Sequence, residues 1–181
     1  LLEIGTEELP ADFARQALDQ LRERVPHDLA EARLSHGSIS IFGTPRRLVV
    51  SIPDLDDRQP DLREERKGPP VAQAFKDGVP GPAAIGFAKR CGIDASQLEQ
   101  RDTPKGPCVF ATVLTAGRDG VSLLRELIPT WIDALQGRRF MRWGTGTQRF
   151  SRPIRWLVAL HGDDVINVEM PGADPVVRSD R

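Results

Sequence analysis

Thirty residues near the middle of this chain suit neither a helix nor a half-buried strand. Between Asp54 and Lys67, ten of fourteen residues are charged, and from Pro53 to Pro82 nine are Pro or Gly. So many charges bury no core of their own, and so many chain-breakers interrupt regular hydrogen bonding. The tract therefore reads as an excursion leading into a small insertion, with regular elements on either side.

Before it, Leu2 and Ile4 share one face of a short strand. Asp12 is placed to cap a helix whose apolar residues Phe13, Ala14, Ala17, Leu18, Leu21 and Val25 follow the three-to-four-residue period. Pro26 is expected to close that helix, with Leu29, Ala32 and Leu34 forming a further short one. Ile39 and Ile41, then Leu48, Val50 and Ile52, alternate around Gly43-Thr44-Pro45 and predict a β-hairpin. Past the tract, Ile85, Phe87 and Ala88 suit a short helix ending near Gly92, and Val109, Ala111, Val113 and Thr115 suit a strand. Leu124, Leu127, Ile128, Trp131 and Leu135 predict a helix over 122–136, capped by Ser122, closed by Gly137 and kinked or split at Pro129. Strands at 155–161 and 165–168, joined by Gly162-Asp163-Asp164, complete the reading. The predicted class is α+β, a mixed sheet with packed helices and a Pro/Gly-rich charged insertion. Residues 1–52 and 105–181 are read as one α+β domain, and 53–104 as a linker with a small helical insertion.

A chain of 181 residues is long enough for a core without staples, and its longest apolar run, near Trp156–Leu160, falls well short of the roughly 18 residues that span a bilayer. Leu1–Ile4 runs straight into Gly5-Thr6-Glu7-Glu8, unlike a secretory leader. With two cysteines, Cys91 and Cys108, no disulfide framework arises, so reduced thiols, a cytoplasmic setting and no membrane partner are expected. Leu1 is not Met and nothing closes the chain at Arg181, so a piece of a longer polypeptide is expected.

Catalytic constellations are sparse. The sequence has no phosphate-binding P-loop, and His27, His36 and His161 stand apart at spacings unlike a zinc site, so no metal is expected. His161 beside Asp163 and Asp164 reads as a hairpin turn, and Glu7 with Glu8 as solvated carboxylates. Gly144-Thr145-Gly146-Thr147-Gln148-Arg149 has the glycines and arginine of the third motif of class II aminoacyl-tRNA synthetases. It lacks the acidic residue before the arginine, and Pro153 follows too soon for a long helix, so the match reads as chance.

The informative pattern lies between residues 134 and 162. It holds six arginines (Arg138, Arg139, Arg142, Arg149, Arg152 and Arg155) and no acidic residue, in a chain whose formal charge is −1. That balance excludes binding nucleic acid by bulk attraction and leaves a local patch. Phe140, Trp143, Phe150 and Trp156 lie among the arginines. A guanidinium fork grips phosphate through two oxygens, and a neighbouring aromatic offers a stacking surface to unpaired bases. The same residues also suit an interface with a protein or another domain, or a solvated face over a core.

Longer stretches carry a resemblance. Leu1-Leu2-Glu3-Ile4-Gly5-Thr6-Glu7-Glu8-Leu9-Pro10, Gly43-Thr44-Pro45-Arg46-Arg47-Leu48, Lys67-Gly68-Pro69-Pro70, Ala74-Phe75-Lys76-Asp77-Gly78, Phe140-Met141-Arg142-Trp143-Gly144 and Phe150-Ser151-Arg152-Pro153-Ile154-Arg155-Trp156-Leu157-Val158-Ala159-Leu160 follow in order. Together they resemble the opening of the β subunit of bacterial tetrameric glycyl-tRNA synthetase. The resemblance implies a division of labour in an α2β2 glycine–tRNA ligase. The α subunit makes glycyl-adenylate from glycine and ATP with Mg, while the β subunit supplies tRNA binding. For this chain it implies an N-terminal module related to editing-type domains, with no cofactor and no catalytic residue of its own. Its expected partners are the α subunit and the tRNA for glycine. The candidate RNA-binding residues are Arg142, Trp143, Arg149, Arg152 and Arg155, then Arg46, Arg47 and Lys67. A docking module without RNA contact and an editing-type hydrolytic domain are the alternatives.

Overall fold

Phe13, Ala17, Leu21, Val25 and Leu29 recur at helical spacing, and in the computed structural model all five are buried along one face of a single helix. The structure describes residues 1–76 and 78–170. Asp77, and the part of the terminal domain reading that covers 171–181, lie outside the described residues. In chain order the elements are β1 (Leu2–Thr6), α1 (Ala11–Glu31), β2 (Ser40–Thr44), β3 (Arg47–Ser51), β4 (Leu62–Pro70), α2 (Val71–Ala74), β5 (Phe75–Lys76), β6 (Val79–Pro80), α3 (Pro82–Cys91), β7 (Glu99–Arg101), β8 (Cys108–Thr115), α4 (Gly120–Asp133), β9 (Met141–Arg142), β10 (Arg149–Phe150), β11 (Ile154–His161) and β12 (Asp164–Val165). The architecture is α+β. It divides into two compact units, Leu1–Gln59 with Arg118 onward, and Pro60–Gly117.

The first unit is built on an antiparallel five-stranded sheet in the order β12-β11-β1-β3-β2. Alternation sends every second side chain to one face. Ile4 sits between Leu157 and Leu48, and Leu2 between Ala159 and Val50. None of the six is more than 3% exposed. The apolar stripes of α1 and α4 join this face in one core, and the buried Trp131 indole of α4 donates to Asp28 Oδ2 of α1 at 3.0 Å.

Both helices run through their prolines. α1 passes Pro26 without ending, so the separate helix expected around Leu29 is its last turn, and α4 passes Pro129. A proline inside a helix removes one N–H and costs about 3 kcal/mol. Val25 and Leu29 flank Pro26 and are fully buried, each contributing roughly 1.5–3 kcal/mol, which outweighs that loss. The caps differ from expectation as well. Pro10 stands at the N-cap of α1, while Asp12 Oδ1 accepts from Phe13 N at 2.8 Å within the first turn. Asp119 caps α4, its Oδ2 accepting from Ser122 N at 2.8 Å and from Ser122 Oγ at 2.9 Å. α4 ends before the right-handed Ala134, so Gly137 is not its left-handed closing residue.

In the second unit the later part of the charged tract forms a nine-residue strand, β4, where an irregular excursion is expected from sequence. β4 is an edge of the sheet β4-β8-β7, pairing Leu62 with Thr115 through Lys67 with Phe110. An edge strand keeps its polar side chains in water, and charges there discourage strand-to-strand association, so charge content did not exclude a strand. Pro69 and Pro70 come at its end, where a missing N–H costs least. The core of this unit is small: Ala74, Ala84, Phe87, Cys91, Val109 and Ala111. Both free cysteines are buried, Cys91 within this core and Cys108 at the start of β8.

Candidate nucleic-acid interface

After α4 the chain turns back as a short two-stranded ribbon, β9 and β10. Three phenylalanines pin it to the first unit. Phe13 of α1 meets Phe140 edge-on at 5.2 Å and Phe150 edge-on at 5.5 Å, and Phe140 lies 5.6 Å from Phe150. Aromatic edges carry partial positive charge and faces negative, which favours such pairs. Gly137 allows the close fit, because a Cβ there would come within 2.5 Å of the Phe140 ring and 2.7 Å of the Phe13 ring.

The register of the ribbon sets Arg142 directly opposite Arg149, and both side chains are exposed. Like charges directly opposite one another on a strand pair are destabilising. Among the described residues no carboxylate forms a salt bridge with either, nor with Arg152. Their hydrogen bonds go to carbonyls: Arg149 Nη2 donates to Phe140 O at 3.2 Å, and Arg152 Nη1 to Ser151 O at 2.9 Å. Trp143 is half-buried, its indole N–H donating across the ribbon to Phe150 O at 3.0 Å, so it braces the two strands. Gly144 bends the connection at a φ of 65°, and Gln148 Nε2 donates to Asp133 Oδ1 at 3.1 Å. Partial burial raises the Asp133 carboxyl above its ordinary range, against the lowering effect of that hydrogen bond. The Gly144–Arg149 run thus closes a ribbon and opens no helix.

The other arginines of the first unit are differently placed. Glu7 holds Arg46 Nη2 at 2.9 Å and Arg155 Nε at 3.5 Å, one carboxylate between two cations. Glu7 is thus a bridge and not the freely solvated carboxylate expected from sequence; the Glu7 backbone N–H donates to Pro153 O at 3.1 Å, a contact that sequence spacing does not reveal. Arg47 lies 5.7 Å above the Trp156 ring and 3.7 Å from Glu3, and the Trp156 indole N–H donates to Glu3 Oε1 at 2.7 Å. Trp156 covers Gly5 so closely that a Cβ there would fall 1.9 Å from the ring. Lys67 belongs to the second unit, at a register break in β4. The structure therefore brings Arg142 and Arg149 together on one ribbon and ties Arg46 and Arg155 to Glu7, Arg47 to Glu3. Exposed guanidiniums without acidic partners bind oxyanions, and a pair at cross-strand distance suits successive phosphates.

His161 ends β11 opposite Asp164, with Gly162 at a φ of 58° in the hairpin turn. Its Nε2 lies 3.3 Å from Leu55 O and 3.6 Å from Asp57 Oδ1. No helix among the described residues is long and apolar enough to cross a membrane.

The family model described as glycyl-tRNA synthetase beta subunit matches residues 1–181. The glycine–tRNA ligase beta subunit of Acaryochloris marina is 48% identical over 181 residues, all of this chain and 25% of the relative. That of a Picosynechococcus species is 53% identical over 170 residues, 94% of this chain and 24% of the relative. That of a Synechocystis species is 50% identical over 181 residues, again 25% of the relative. The chain spans about a quarter of the length of these relatives. An identity near one half across the whole chain, with a family match from first residue to last, places it plainly: this chain belongs to the glycyl-tRNA synthetase beta subunit family.

Proposed function

We propose that this chain is the N-terminal segment of a glycine–tRNA ligase β subunit and grips tRNA through the arginine ribbon of its first unit. The observation that carries the reading is the facing pair Arg142 and Arg149, exposed and without an acidic partner among the described residues. A fold keeps two like charges face to face at a cost of several tenths of a kcal/mol unless an external anion relieves them. Arg152 extends the patch, and Trp143 supports it from behind. Arg155, Arg46 and Arg47, already neutralised by Glu7 and Glu3, form a secondary rim, and Lys67 is a separate candidate in the second unit. The chain acts by holding tRNA. Adenylation of glycine, with ATP and Mg, is the task of a separate α subunit in a cytoplasmic α2β2 enzyme. Glycine is the smallest amino acid, and among the described residues no hydrolytic constellation surrounds the ribbon, which favours gripping over editing.

The test is tRNA binding by the full-length β subunit carrying Arg142→Gln, Arg149→Gln and Arg152→Gln. Each lost phosphate contact removes about 0.7–0.9 from the slope of log K against log salt, so a decrease of about two is expected. Unchanged affinity and slope overturn the reading. If the same variant instead loses co-purification with the α subunit, the ribbon is a docking surface.

A further inference from the structure

In the second unit, a groove of about 900 Å³ runs between the end of β4 and α3, lined by Arg66, Lys67, Gly68, Pro69, Gly86 and Arg90 among others. Its lining holds three cations and no acidic residue. Arg66 forms an exposed pair with Glu64 at 3.1 Å, a contact weak enough in water to yield to a stronger anion. Lys67 and Arg90 have no salt-bridge partner among the described residues. The backbone is shaped around the same place. β4 carries a bulge, with Gly68 and Pro69 together facing the single Val109, and bulges re-aim the residues beside them. Gly68 rests on the Phe87 ring, where a Cβ would come within 2.6 Å. Gly86 lies inside α3, where glycine costs about 1 kcal/mol relative to alanine. Apart from its chain neighbours and the backbone of its own helix, no atom of the described residues lies within 4 Å of where its Cβ would stand, so the fold itself leaves room for a larger residue there. The space that glycine keeps open is the groove.

We propose that this groove is a phosphate-binding site, taking the phosphate of a polynucleotide backbone or of a nucleoside diphosphate between Arg66, Lys67 and Arg90. It is a second site, independent of the ribbon of the first unit. The guanidinium groups of Arg66 and Arg90 supply planar forks for oxyanions, and Lys67 adds a compact charge. The open helix wall at Gly86 lets the phosphate approach.

The experiment compares the full-length β subunit with its Arg66→Gln, Lys67→Gln, Arg90→Gln variant. Labelled tRNA is followed by anisotropy across a salt series, and ADP by calorimetry. Loss of tRNA affinity by about tenfold or more, with the salt slope reduced by about 0.7–0.9, the value for one phosphate contact, assigns the site to a polynucleotide backbone. Loss of ADP binding with tRNA binding intact assigns it to a nucleotide. A variant that binds tRNA with the original affinity and slope, from a parent that binds no ADP, overturns the proposal. Gly86→Leu blocks the groove without altering charge and should reproduce whichever loss is seen, whereas Gly86→Ala should spare binding. If Gly86→Leu, folded by circular dichroism, leaves binding intact, the groove is not the site. The ribbon variant run in parallel separates the two readings: a loss confined to the groove variant overturns the ribbon alone, and a loss confined to the ribbon variant overturns the groove alone.

Discussion

At the scale of single residues, glycine and aspartate do much of the positioning in the first unit. Gly5 lets β1 pass under the Trp156 indole, which in turn bonds to Glu3. Gly5→Ala puts a methyl group inside the ring, so Trp156 must leave its place. A loss of about 1–3 kcal/mol, measured by urea denaturation, is the expected result, together with a shift of tryptophan fluorescence. Asp119 illustrates a charge effect. Hydrogen bonds from the Ser122 backbone N–H and hydroxyl hold its carboxyl below the ordinary range. A carboxylate with a depressed folded pKa contributes stability above its unfolded pKa and loses it as pH falls through the folded value. Asp119→Ala should therefore lower Tm at neutral pH, and the gap between variant and parent should close in acid. A gap that is constant from neutral pH down to below the carboxylate range would show that the cap acts without its charge.

Elements answer to packing more than to local propensity. α1 spans 21 residues across an internal proline because its buried stripe continues without interruption on both sides. Restoring the missing N–H with Pro26→Ala should raise stability by about 1–3 kcal/mol in chemical denaturation. If the variant is less stable than the parent, Pro26 packs in a way that alanine does not replace. The ribbon is the opposite case, since its strands are two residues each and make a minimal ladder. Phe13, Phe140 and Phe150 hold it in place, which frees its outward positions for Arg142 and Arg149.

For the whole molecule, the central question is how a second unit is inserted in the first. Gln59 and Arg118 meet where the chain leaves and returns: Gln59 N donates to Arg118 O at 2.9 Å and Arg118 N to Gln59 Oε1 at 3.0 Å. Arg58 and Asp119 form an isolated antiparallel bridge beside them. Replacing residues 60–117 by a two-residue Asn-Gly turn should leave the first unit folded, because such a turn joins antiparallel neighbours without splaying them. A cooperative thermal transition and dispersed amide resonances would be the expected outcome. Collapse to a molten species would show that the first unit depends on the second.

Much of this molecule was legible in the order of its residues. Period-two alternation located the hairpin Ile41–Val50 and the strands of Leu2, Ile4 and Leu157, and period-three-to-four spacing located both long helices, because burial of one face leaves its mark on each element separately. The family likeness was legible too, in unbroken runs of residues. The tertiary structure decided what local signals leave open. It decided that helices continue through Pro26 and Pro129, since flanking burial outweighs a lost hydrogen bond, and that the charged tract pairs as an edge strand, since an edge needs only a neighbour's backbone. It also sorted the arginines, bringing Glu7 to Arg46 and Arg155 from distant positions while leaving Arg142 facing Arg149. Charge along a chain is a matter of composition. Which charges are cancelled depends on distances of a few ångströms in the folded state, and only folding sets those.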